Sequence, residues 1–572
     1  MFTRTGTARL SACSLGGCPR GLAGTFRKTA CLALGLATLA KAQWTYPGCN
    51  PVTDTDFKYE LMLKRGAAPD AELDEPLKMA FDKDATGKVD IYYVERKGKL
   101  KRYLAATGQV QTLGTLNVWK GPYTKTGGQV EEGLIGIALD PAFKANGQIY
   151  VMYSPATESV FRISRFTLAG AALNPASEKV ILDIPAQRED CCHTGGAMQF
   201  DAYGDLWIGV GNNTGRSGSP LQLDETRKYG SDEWGSSSTA GLRGSILRIH
   251  PDESAKGYSI PRGNFWEYFA DEADKANKAA VAADYRDSSK VKREIYVKGV
   301  RNPYSLTLDP VRRWVMFGDV GPDKSGLISE ENNLFKHPVF AGWPYFCGNN
   351  TSYVGSKDPL APANTSKWNL GLKTLPPATP AIHSYLKSSV TTGPIYRYDG
   401  DLAAAGKLPP HFDRKWFVTD FNSSKVKLLS LDDAGDKVLK EEDIFKNAHF
   451  ARPLDFQQGP DGALYVINYA GWFNSNSETS IARITYTGTC RPAIPNTVEE
   501  GAVARRTAPA SPWLLNFGPA LRVKVPAGMN GFRLHDAAGR ILAERHGLRG
   551  VPETVLPNGL PRGMLKIRWV QE

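Results

Sequence analysis

One pattern recurs along the chain and restricts its fold more than any other feature. An apolar run of alternating polarity leads into a turn containing Asp, Gly or Pro, and a second β-rich run follows the turn. Alternation with Val, Ile, Tyr and Phe between such turns is typical of antiparallel strands. Clear copies occupy residues 79–95, 136–154, 197–211, 305–321 and 454–469, and residues 393–431 hold a looser copy.

About six copies over residues 43–490 predict an all-β fold, a six-bladed β-propeller with long inserted loops. An array of β-sandwiches is the alternative, but a spacing of about 60 residues or more per copy favours blades. The best helical stretch, residues 269–287, is rich in Ala, Lys and Glu, and we expect it to form a surface insertion.

The first 42 residues have the features of an export signal. Arg27 and Lys28 precede the apolar run 31–40, and residues 40–42 (AKA) match a small-x-small cleavage site. The run is shorter than the roughly 20 residues that a membrane-spanning helix needs. We therefore expect residues 1–42 to be a signal peptide, and the mature protein to be soluble and secreted, periplasmic or at the cell surface.

The net charge of +11 suggests a nucleic-acid partner until its distribution is considered. Residues 1–42 carry six basic residues and no acidic one, and residues 501–572 carry eleven basic residues against four acidic ones. The body between these ends has a net charge near −2. The basic excess is thus confined to the ends of the chain, and no nucleic-acid partner is expected.

Five of the eight cysteines lie outside the predicted signal peptide. In an oxidising compartment, we expect a Cys49–Cys490 disulfide that joins the beginning and the end of the propeller body. Cys347 would then pair with either Cys191 or Cys192, leaving one cysteine over. A zinc site is not expected, because only one histidine lies near the cysteines. The sequence also contains no haem-attachment motif.

Short motifs spread over the propeller body identify a related family. In chain order they are 131–138 (EEGLIGIA), 192–196 (CHTGG), 241–249 (GLRGSILRI), 301–303 (RNP), 321–322 (GP), 342–344 (GWP) and 459–466 (GPDGALYV). On these motifs, residues 80–490 resemble the glucose/sorbosone dehydrogenase family. Its members are soluble sugar dehydrogenases that use pyrroloquinoline quinone (PQQ) on a six-bladed propeller.

The resemblance implies a catalytic base and two substrate contacts. Oxidising a sugar hydroxyl requires removal of its proton while hydride leaves the adjacent carbon, and an imidazole suits this role. His193 matches the family's base. Glu131 falls where the family has a polar residue near the sugar. Cys192 replaces the acidic residue that usually precedes the base, so the substrate contacts there differ from those of the glucose-oxidising members.

The resemblance also implies a site for PQQ and Ca²⁺. PQQ carries three carboxylates and an ortho-quinone, and guanidinium groups suit such a ligand. Arg301 matches the family's arginine at the quinone end, and Asn302 lines the same wall. Gly321 and Pro322 match the residues whose backbone carbonyls hold calcium, a hard cation that prefers oxygen ligands.

The chain departs from the family at two cationic positions. Arg452 matches the first of two arginines that bind the PQQ carboxylates, but Leu454 occupies the second position. Asn422 stands where the family has a lysine, and Lys425 is a possible substitute. These departures weaken the expected cofactor site unless other cations compensate.

Five aromatic residues have two interpretations. They either form a rim on which a sugar stacks or pack between the blades, and packing is the commoner role in a propeller. They are Trp207, Trp343, Tyr345, Trp472 and Phe473.

The C-terminal region is predicted to be a separate module. Residues 491–512 are rich in Pro and Ala without apolar periodicity, as expected of a linker. Residues 513–572 contain strand-like runs and predict a small β-sandwich. The motifs 534–540 (LHDAAGR) and 556–560 (LPNGL) resemble sorting domains of the type IX secretion system, which implies contact with outer-membrane secretion machinery.

These observations favour a secreted, PQQ- and calcium-dependent dehydrogenase of a sugar or sugar alcohol. With no haem motif in the chain, its electrons would pass to a separate acceptor, a cytochrome or a quinone. A non-catalytic propeller that binds carbohydrate or protein is one alternative. A calcium-dependent hydrolase such as a lactonase is another, and fold alone does not separate the three.

Overall fold

The computed structural model describes most of the propeller body and part of the C-terminal region. Described are residues 52–490 except 85–86, 126, 129, 171, 215–227, 323–327, 355–357, 387, 400–401, 403 and 405, together with the backbone of five C-terminal strands. The predicted signal peptide (1–42) and linker (491–512) lie outside the described residues.

Twenty-eight strands make up the described body. The first fourteen are Phe57–Lys64 (β1), Pro76–Lys83 (β2), Val89–Glu95 (β3), Lys99–Leu104 (β4), Gln109–Thr115 (β5), Leu134–Leu139 (β6), Gln148–Tyr153 (β7), Val160–Ala169 (β8), Ala172–Pro185 (β9), Gly195–Phe200 (β10), Leu206–Val210 (β11), Ser245–Pro251 (β12), Tyr258–Ser259 (β13) and Ile295–Lys298 (β14). The others are Ser305–Leu308 (β15), Val315–Asp319 (β16), Ile328–Phe335 (β17), Val339–Phe340 (β18), Phe346–Cys347 (β19), Thr351–Ser352 (β20), His383–Leu386 (β21), Val390–Ile395 (β22), Lys415–Asp420 (β23), Lys425–Leu431 (β24), Val438–Ile444 (β25), Pro453–Gln458 (β26), Leu464–Asn468 (β27) and Ser480–Tyr486 (β28).

These strands form a six-bladed β-propeller, as the sequence predicted. The blades are the sheets β2-β3-β4-β5, β6-β7-β8-β9, β10-β11-β12-β14, β15-β16-β17-β21, β22-β23-β24-β25 and β26-β27-β28-β1. Each of the five clear copies of the sequence pattern supplies the first two strands of a blade, and the looser copy covers the first three strands of its blade. The first strands of successive blades contact one another, including β26 and β2, so the ring closes.

The ring is closed by the N-terminal strand. β1 is the outermost strand of the last blade and pairs antiparallel with β28, from Phe57 opposite Tyr486 to Lys64 opposite Ser480. This pairing joins the two ends of the propeller body in one sheet, so the last blade cannot form without both ends.

Burial on both faces of each blade explains the composition of the central strands. All seven residues of β3 are buried, as are all five of β11, β16 and β27. Neighbouring blades cover both faces of these strands, so the polarity alternation of a half-exposed strand is lost there. Burial of this apolar surface is the main favourable contribution to the fold.

The predicted helical insertion consists of two helices. The three α-helices of the described residues are Phe143–Asn146 (α1), Phe265–Lys275 (α2) and Ala279–Arg286 (α3). Helices α2 and α3 lie between β13 and β14 and pack through Phe265 and Tyr285. The predicted single stretch is interrupted at Asn277, which has a left-handed φ of 57°. No helix within the described residues has the length and apolar character needed to cross a membrane.

The predicted pairing of Cys347 with Cys191 or Cys192 is wrong. Cys191 and Cys192 form a disulfide with each other, and Cys347 is a buried free thiol at the end of β19. Cys191 and Cys192 are adjacent in one loop and bond to each other, which leaves Cys347 without a disulfide partner among the described residues. Burial raises the pKa of the Cys347 thiol, and the charge of Glu331 adds to the rise. Cys490 is disulfide-bonded, and its expected partner Cys49 lies outside the described residues.

The C-terminal region contains five strands where strand-like runs were predicted. They are Arg522–Lys524 (β29), Gly531–His535 (β30), Ile541–His546 (β31), Glu553–Val555 (β32) and Lys566–Val570 (β33). β29 pairs with β32, and β30 lies between β31 and β33. The rest of residues 513–572 lies outside the described residues, so the β-sandwich stays a prediction.

Candidate active site

A cavity lies where the innermost strands of the blades begin. Its volume is about 180 Å³ for the centres of water-sized spheres, it is partly open to solvent, and both polar and apolar side chains line it. Every blade contributes to its wall at or near the start of its first strand. Examples, one from each blade in chain order, are Leu77, Glu131, His193, Arg301, Thr391 and Leu454.

Seven of the nine residues predicted from the family resemblance line this cavity. They are Glu131, Cys192, His193, Arg301, Asn302, Gly321 and Asn422. The other two do not line it. Pro322 is buried beside Gly321, and Arg452 lies one layer behind the wall. The structure thus brings together residues that are up to 291 positions apart in the sequence.

The loop that carries His193 is held by the Glu131 carboxylate. Glu131 Oε2 accepts hydrogen bonds from the backbone N–H groups of His193 at 2.7 Å and Thr194 at 3.2 Å. His193 has a left-handed φ of 62°. Gly196 follows, and a Cβ there would lie 2.4 Å from the Ile135 carbonyl oxygen, so only glycine fits this close approach. Glu131 therefore positions the predicted base.

A buried relay fixes the orientation of the His193 ring. His193 Nδ1 lies 2.9 Å from Asn212 Oδ1. Asn212 Nδ2 donates to Asp232 Oδ1 at 2.7 Å, which sets the amide so that its oxygen faces the histidine. Because an amide oxygen only accepts, His193 Nδ1 carries the proton and Nε2 carries the lone pair. The relay gives His193 the tautomer that a general base requires.

Asp232 anchors this relay in the interior. It accepts a second hydrogen bond from the Thr214 hydroxyl. Burial raises the pKa of Asp232 to about 6, although the Thr214 hydrogen bond and the charge of Arg301 oppose the rise. Asp232 is therefore mainly a carboxylate at pH 7 and above, and its acceptor role holds there.

The backbone of residues 301–302 is held by one buried carboxylate. Asp319, at the end of β16, accepts the backbone N–H groups of Arg301 at 2.9 Å and Asn302 at 2.6 Å. The guanidinium of Arg301 donates from Nη1 to the Val320 carbonyl at 2.8 Å. Burial raises the pKa of Asp319 to about 6 despite these donors. The fixed backbone sets the direction of the Arg301 side chain toward the cavity.

The residues around Gly321 fit a calcium ion in their donor chemistry. Gly321 and Pro322 are buried, and their carbonyl oxygens accept no hydrogen bond from the described residues. A Cβ on Gly321 would lie 2.4 Å from the Ser329 carbonyl oxygen, so the segment needs glycine there. Buried carbonyls without donors are suitable ligands for a hard cation.

Buried acidic side chains accompany this segment. Glu330 and Glu331 lie on β17, and burial raises the pKa of each to about 8. Val390 N–H donates to Glu330 at 3.2 Å, and Gly348 N–H donates to Glu331 at 2.6 Å. A cation nearby would favour their ionised forms, since opposite charge lowers a carboxyl pKa.

The two departures from the family pattern lie in the cavity wall. Leu454 lines the cavity and packs in the apolar core. Asn422 also lines it, but its amide N–H₂ donates to the Ser388 carbonyl and the Ser389 hydroxyl. Lys425 is not part of the wall and lies 4.0 Å from the Asp443 carboxylate. Neither position thus supplies a cation to the cavity.

Arg452 is held behind two aromatic rings. Its guanidinium lies over the rings of Phe421 and Trp472, 5.5 Å and 4.9 Å from their centroids. Nη1 donates to the Gly471 carbonyl at 2.8 Å. Its charge therefore acts on the cavity through the two rings that line it rather than by direct contact.

The five aromatic residues divide between the two interpretations, and three of them have the commoner packing role. Trp207, Trp343 and Tyr345 are buried between strands and do not line the cavity. Trp472 and Phe473 do line it, and Trp472 is 43% exposed. The first three pack against other aromatic rings in the interior, and the other two offer apolar faces to a ligand.

A comparison with protein-family models identifies the family. The model described as glucose/sorbosone dehydrogenase matches residues 73–262 and 275–472. The chain belongs to the glucose/sorbosone dehydrogenase family. The two matched segments include all of the described cavity-lining residues except Phe473.

Curated relatives and solved structures agree with this membership. The uncharacterized protein slr1608 of Synechocystis is 24% identical over 461 residues, covering 78% of this chain and 94% of the relative. The aldose sugar dehydrogenase YliI of Escherichia coli is 23% identical over 400 residues, covering 69% and 87%. The apo-form structure of the soluble aldose sugar dehydrogenase from Escherichia coli superposes with a TM-score of 0.50 at 20% identity, covering 75% of this chain and 99% of that one.

Three residues of the site were missed by sequence reasoning. Arg96 lines the cavity, and Asn212 and Asp232 form the relay behind His193. Arg96 directly follows β3, the second strand of the first recurring pattern, and this position at the end of a strand is the signal that could have identified it. Asn212 and Asp232 have no such signal, because their proximity to His193 depends on the folded loops.

Proposed function

We propose that this member of the family is a secreted, PQQ- and calcium-dependent dehydrogenase that oxidises a hydroxyl group of a sugar or sugar alcohol. The observation that carries the proposal is the His193 relay. It holds a lone pair on Nε2 of a buried histidine in the wall of a cavity that Arg301 also lines. A base next to a fixed guanidinium suits oxidation of a bound hydroxyl.

His193, Glu131 and Cys192 have different roles in the proposed reaction. His193 Nε2 accepts the substrate hydroxyl proton, and the positive charge that develops on the ring is stabilised through Asn212 and the Asp232 carboxylate. Glu131 holds the loop in place through two backbone N–H groups. Cys192, joined to Cys191, forms the wall beside the base and contacts the substrate.

The cofactor and metal fit the donor set of the site. Arg301 and Asn302 would bind PQQ at its quinone end, and the carbonyls of Gly321 and Pro322 would hold calcium. Asn422 would border the other side of PQQ, and Arg452 would act on it from behind the rings of Phe421 and Trp472. When bound, PQQ supplies the ortho-quinone that accepts hydride. The charge of calcium favours binding of the anionic cofactor next to the buried carboxyl groups of β17.

The remaining parts of the proposal concern partners and location. The electrons leave to a separate acceptor, a cytochrome or a quinone. The predicted signal peptide directs the chain out of the cytoplasm, and the C-terminal region contacts outer-membrane secretion machinery. The location and the secretion contact are supported by sequence patterns at the two ends of the chain, and the separate acceptor by the lack of a haem-attachment motif in the sequence.

A reconstitution experiment tests the enzymatic proposal. The purified protein is incubated with calcium and PQQ, and a panel of aldoses and sugar alcohols is added with an artificial electron acceptor. We expect dye reduction that depends on both PQQ and sugar. His193→Ala should bind PQQ and lose dye reduction, whereas His449→Ala, a change of an exposed histidine on another loop, should retain it. Unchanged turnover of His193→Ala would contradict the assignment of the base.

A non-catalytic propeller that binds carbohydrate or protein is the second candidate. The specific observation in its favour is the loss of two cationic positions at Leu454 and Asn422. It predicts that the protein binds a sugar or a protein ligand in the absence of PQQ, and that PQQ has no measurable affinity. The same reconstitution experiment therefore separates the two candidates.

A further inference from the structure

The cavity wall lacks the family's arginine at the position of Leu454, but it contains another cation, Arg96. Leu454 lies in one apolar cluster with Leu77 and Tyr469, and all three line the cavity. Arg96 lines the same cavity and follows directly after β3. Tyr469 connects the two places, since its hydroxyl donates to Glu75 Oε2, the carboxylate that also binds Arg96.

Two of the three guanidinium nitrogens of Arg96 donate hydrogen bonds within the protein. Nε donates to the Glu75 carboxylate, and Nη1 donates to the Glu132 carbonyl at 3.1 Å. Nη2 makes no hydrogen bond to any described residue, although the side chain is only 8% exposed. A guanidinium fixed at two of its nitrogens keeps the other donors in a defined direction. Arg96 thus presents oriented donors at the cavity wall.

The charge of Arg96 is not cancelled by its neighbours. Lys97 lies 3.0 Å from Glu75 and 2.7 Å from Asp74, and Arg65 lies 3.0 Å from Asp74. Glu75 and Asp74 are therefore shared among three cations, so Glu75 does not pair with Arg96 alone. Burial disfavours the charged form of Arg96, but the attraction of Glu75 outweighs it and raises the pKa of Arg96. Arg96 therefore stays charged at the cavity wall, where it can pair with a negative group of a ligand.

We propose that Arg96 binds a carboxylate of the cofactor and takes the place of the arginine that is missing at Leu454. This inference rests on the proposed function, because PQQ is the ligand with three carboxylates. It adds a cofactor contact from the first blade, whereas Arg301 lies before the first strand of the fourth blade. A charge-assisted pair from a fixed guanidinium is among the strong polar contacts in proteins.

Binding affinity, measured without turnover, tests the proposal. PQQ is titrated into the full-length protein with calcium, and quenching of tryptophan fluorescence, to which Trp472 in the wall contributes, reports the Kd. Arg96→Gln should raise the Kd roughly 10- to 100-fold, the loss expected for a hydrogen bond between charged groups. Lys97→Gln is the matched control, since it removes one charge from the same cluster outside the cavity, and we expect less than about a threefold change.

A rescue variant covers the case in which Arg96→Gln disturbs the fold. Leu454→Arg restores a cation to the same wall, so Arg96→Gln combined with Leu454→Arg should regain most of the lost affinity. Arg96→Lys should give an intermediate Kd, because lysine keeps the charge but not the forked donors. Melting temperatures of all variants identify any general loss of stability.

The outcomes separate this inference from the proposed function. A wild-type protein that does not bind PQQ overturns both. Wild-type binding with an unchanged Kd in Arg96→Gln overturns the role of Arg96 alone. An equal loss of affinity in Arg96→Gln and Lys97→Gln also overturns it, because the effect would then come from net charge and not from contact. A selective loss that Leu454→Arg reverses supports it.

Discussion

Replacing Asn212 by leucine tests the relay behind the catalytic base. Asn212 is fully buried, and its side chain joins His193 to Asp232 through hydrogen bonds of 2.9 Å and 2.7 Å. Leucine has nearly the same shape and offers no acceptor for His193 Nδ1. We therefore expect the imidazole to lose its fixed tautomer while the cavity keeps its form.

The size of the effect follows from the lost hydrogen bond. A buried hydrogen bond that selects one tautomer is worth roughly 1–2 kcal/mol. If only the tautomer with the Nε2 lone pair reacts, kcat should fall about 5- to 30-fold. Asn212 does not line the cavity, so the Kd for PQQ should change less than about twofold.

The assay compares kcat, the Kd for PQQ and the tautomer itself. Dye reduction gives kcat, fluorescence titration gives the Kd, and nitrogen-15 chemical shifts of His193 report which ring nitrogen carries the proton. Asp232→Asn is the matched control, because its amide oxygen can still accept from Asn212, and its kcat should lie between those of wild type and Asn212→Leu. A kcat for Asn212→Leu within twofold of wild type would refute the relay.

Three further changes test other parts of the structure. Gly321→Ala places a methyl group against the Ser329 carbonyl. We expect thermal unfolding to show a stability loss of roughly 1–3 kcal/mol, and calcium-dependent PQQ binding to weaken. Unchanged stability and binding would contradict the close contact. Burial raises the pKa of Glu330 from 4.5 to about 8, so its contribution to stability is complete below pH 4.5 and is lost as the pH rises through 8. Glu330→Gln should therefore remove a slope of about 1 kcal/mol per pH unit between these limits in urea unfolding of the calcium-free protein, and a variant with the wild-type slope would disprove it. Cys347 should resist alkylation in the folded protein and react after unfolding without reductant. Alkylation of Cys191 or Cys192 in the unfolded, unreduced protein would contradict the disulfide between them.

The propeller could be predicted from the sequence because each blade repeats a local signal. The two strands of a copy, such as β26 and β27, are adjacent in the chain and joined by a Gly-Pro-Asp-Gly turn, so alternation and turn residues are enough. The closure of the ring was not predicted. β1 pairs with β28, and the sequence contains no local record of a partner more than 400 residues away.

Most of the candidate site could be predicted only through motifs of the family. His193 and Arg301 lie in recognisable segments, and the structure places both in one cavity. Arg96 and Asp232 belong to no motif, because their roles depend on their positions in the folded chain. Arg96 reaches the cavity wall from the first blade, and Asp232 lies beneath a loop of the third blade. The pairing of Cys347 was predicted wrongly, since spacing alone does not show whether the neighbouring Cys191 and Cys192 turn toward each other.

Stoichiometric binding of PQQ tests the central claim most directly. The purified protein is titrated with PQQ by calorimetry, with calcium present and again after its removal with a chelator. The account predicts one PQQ per chain with a Kd in the micromolar range or below when calcium is present, and much weaker binding when calcium is absent. No binding at micromolar PQQ in the presence of calcium would contradict it, and the propeller would then be a binding protein for another ligand.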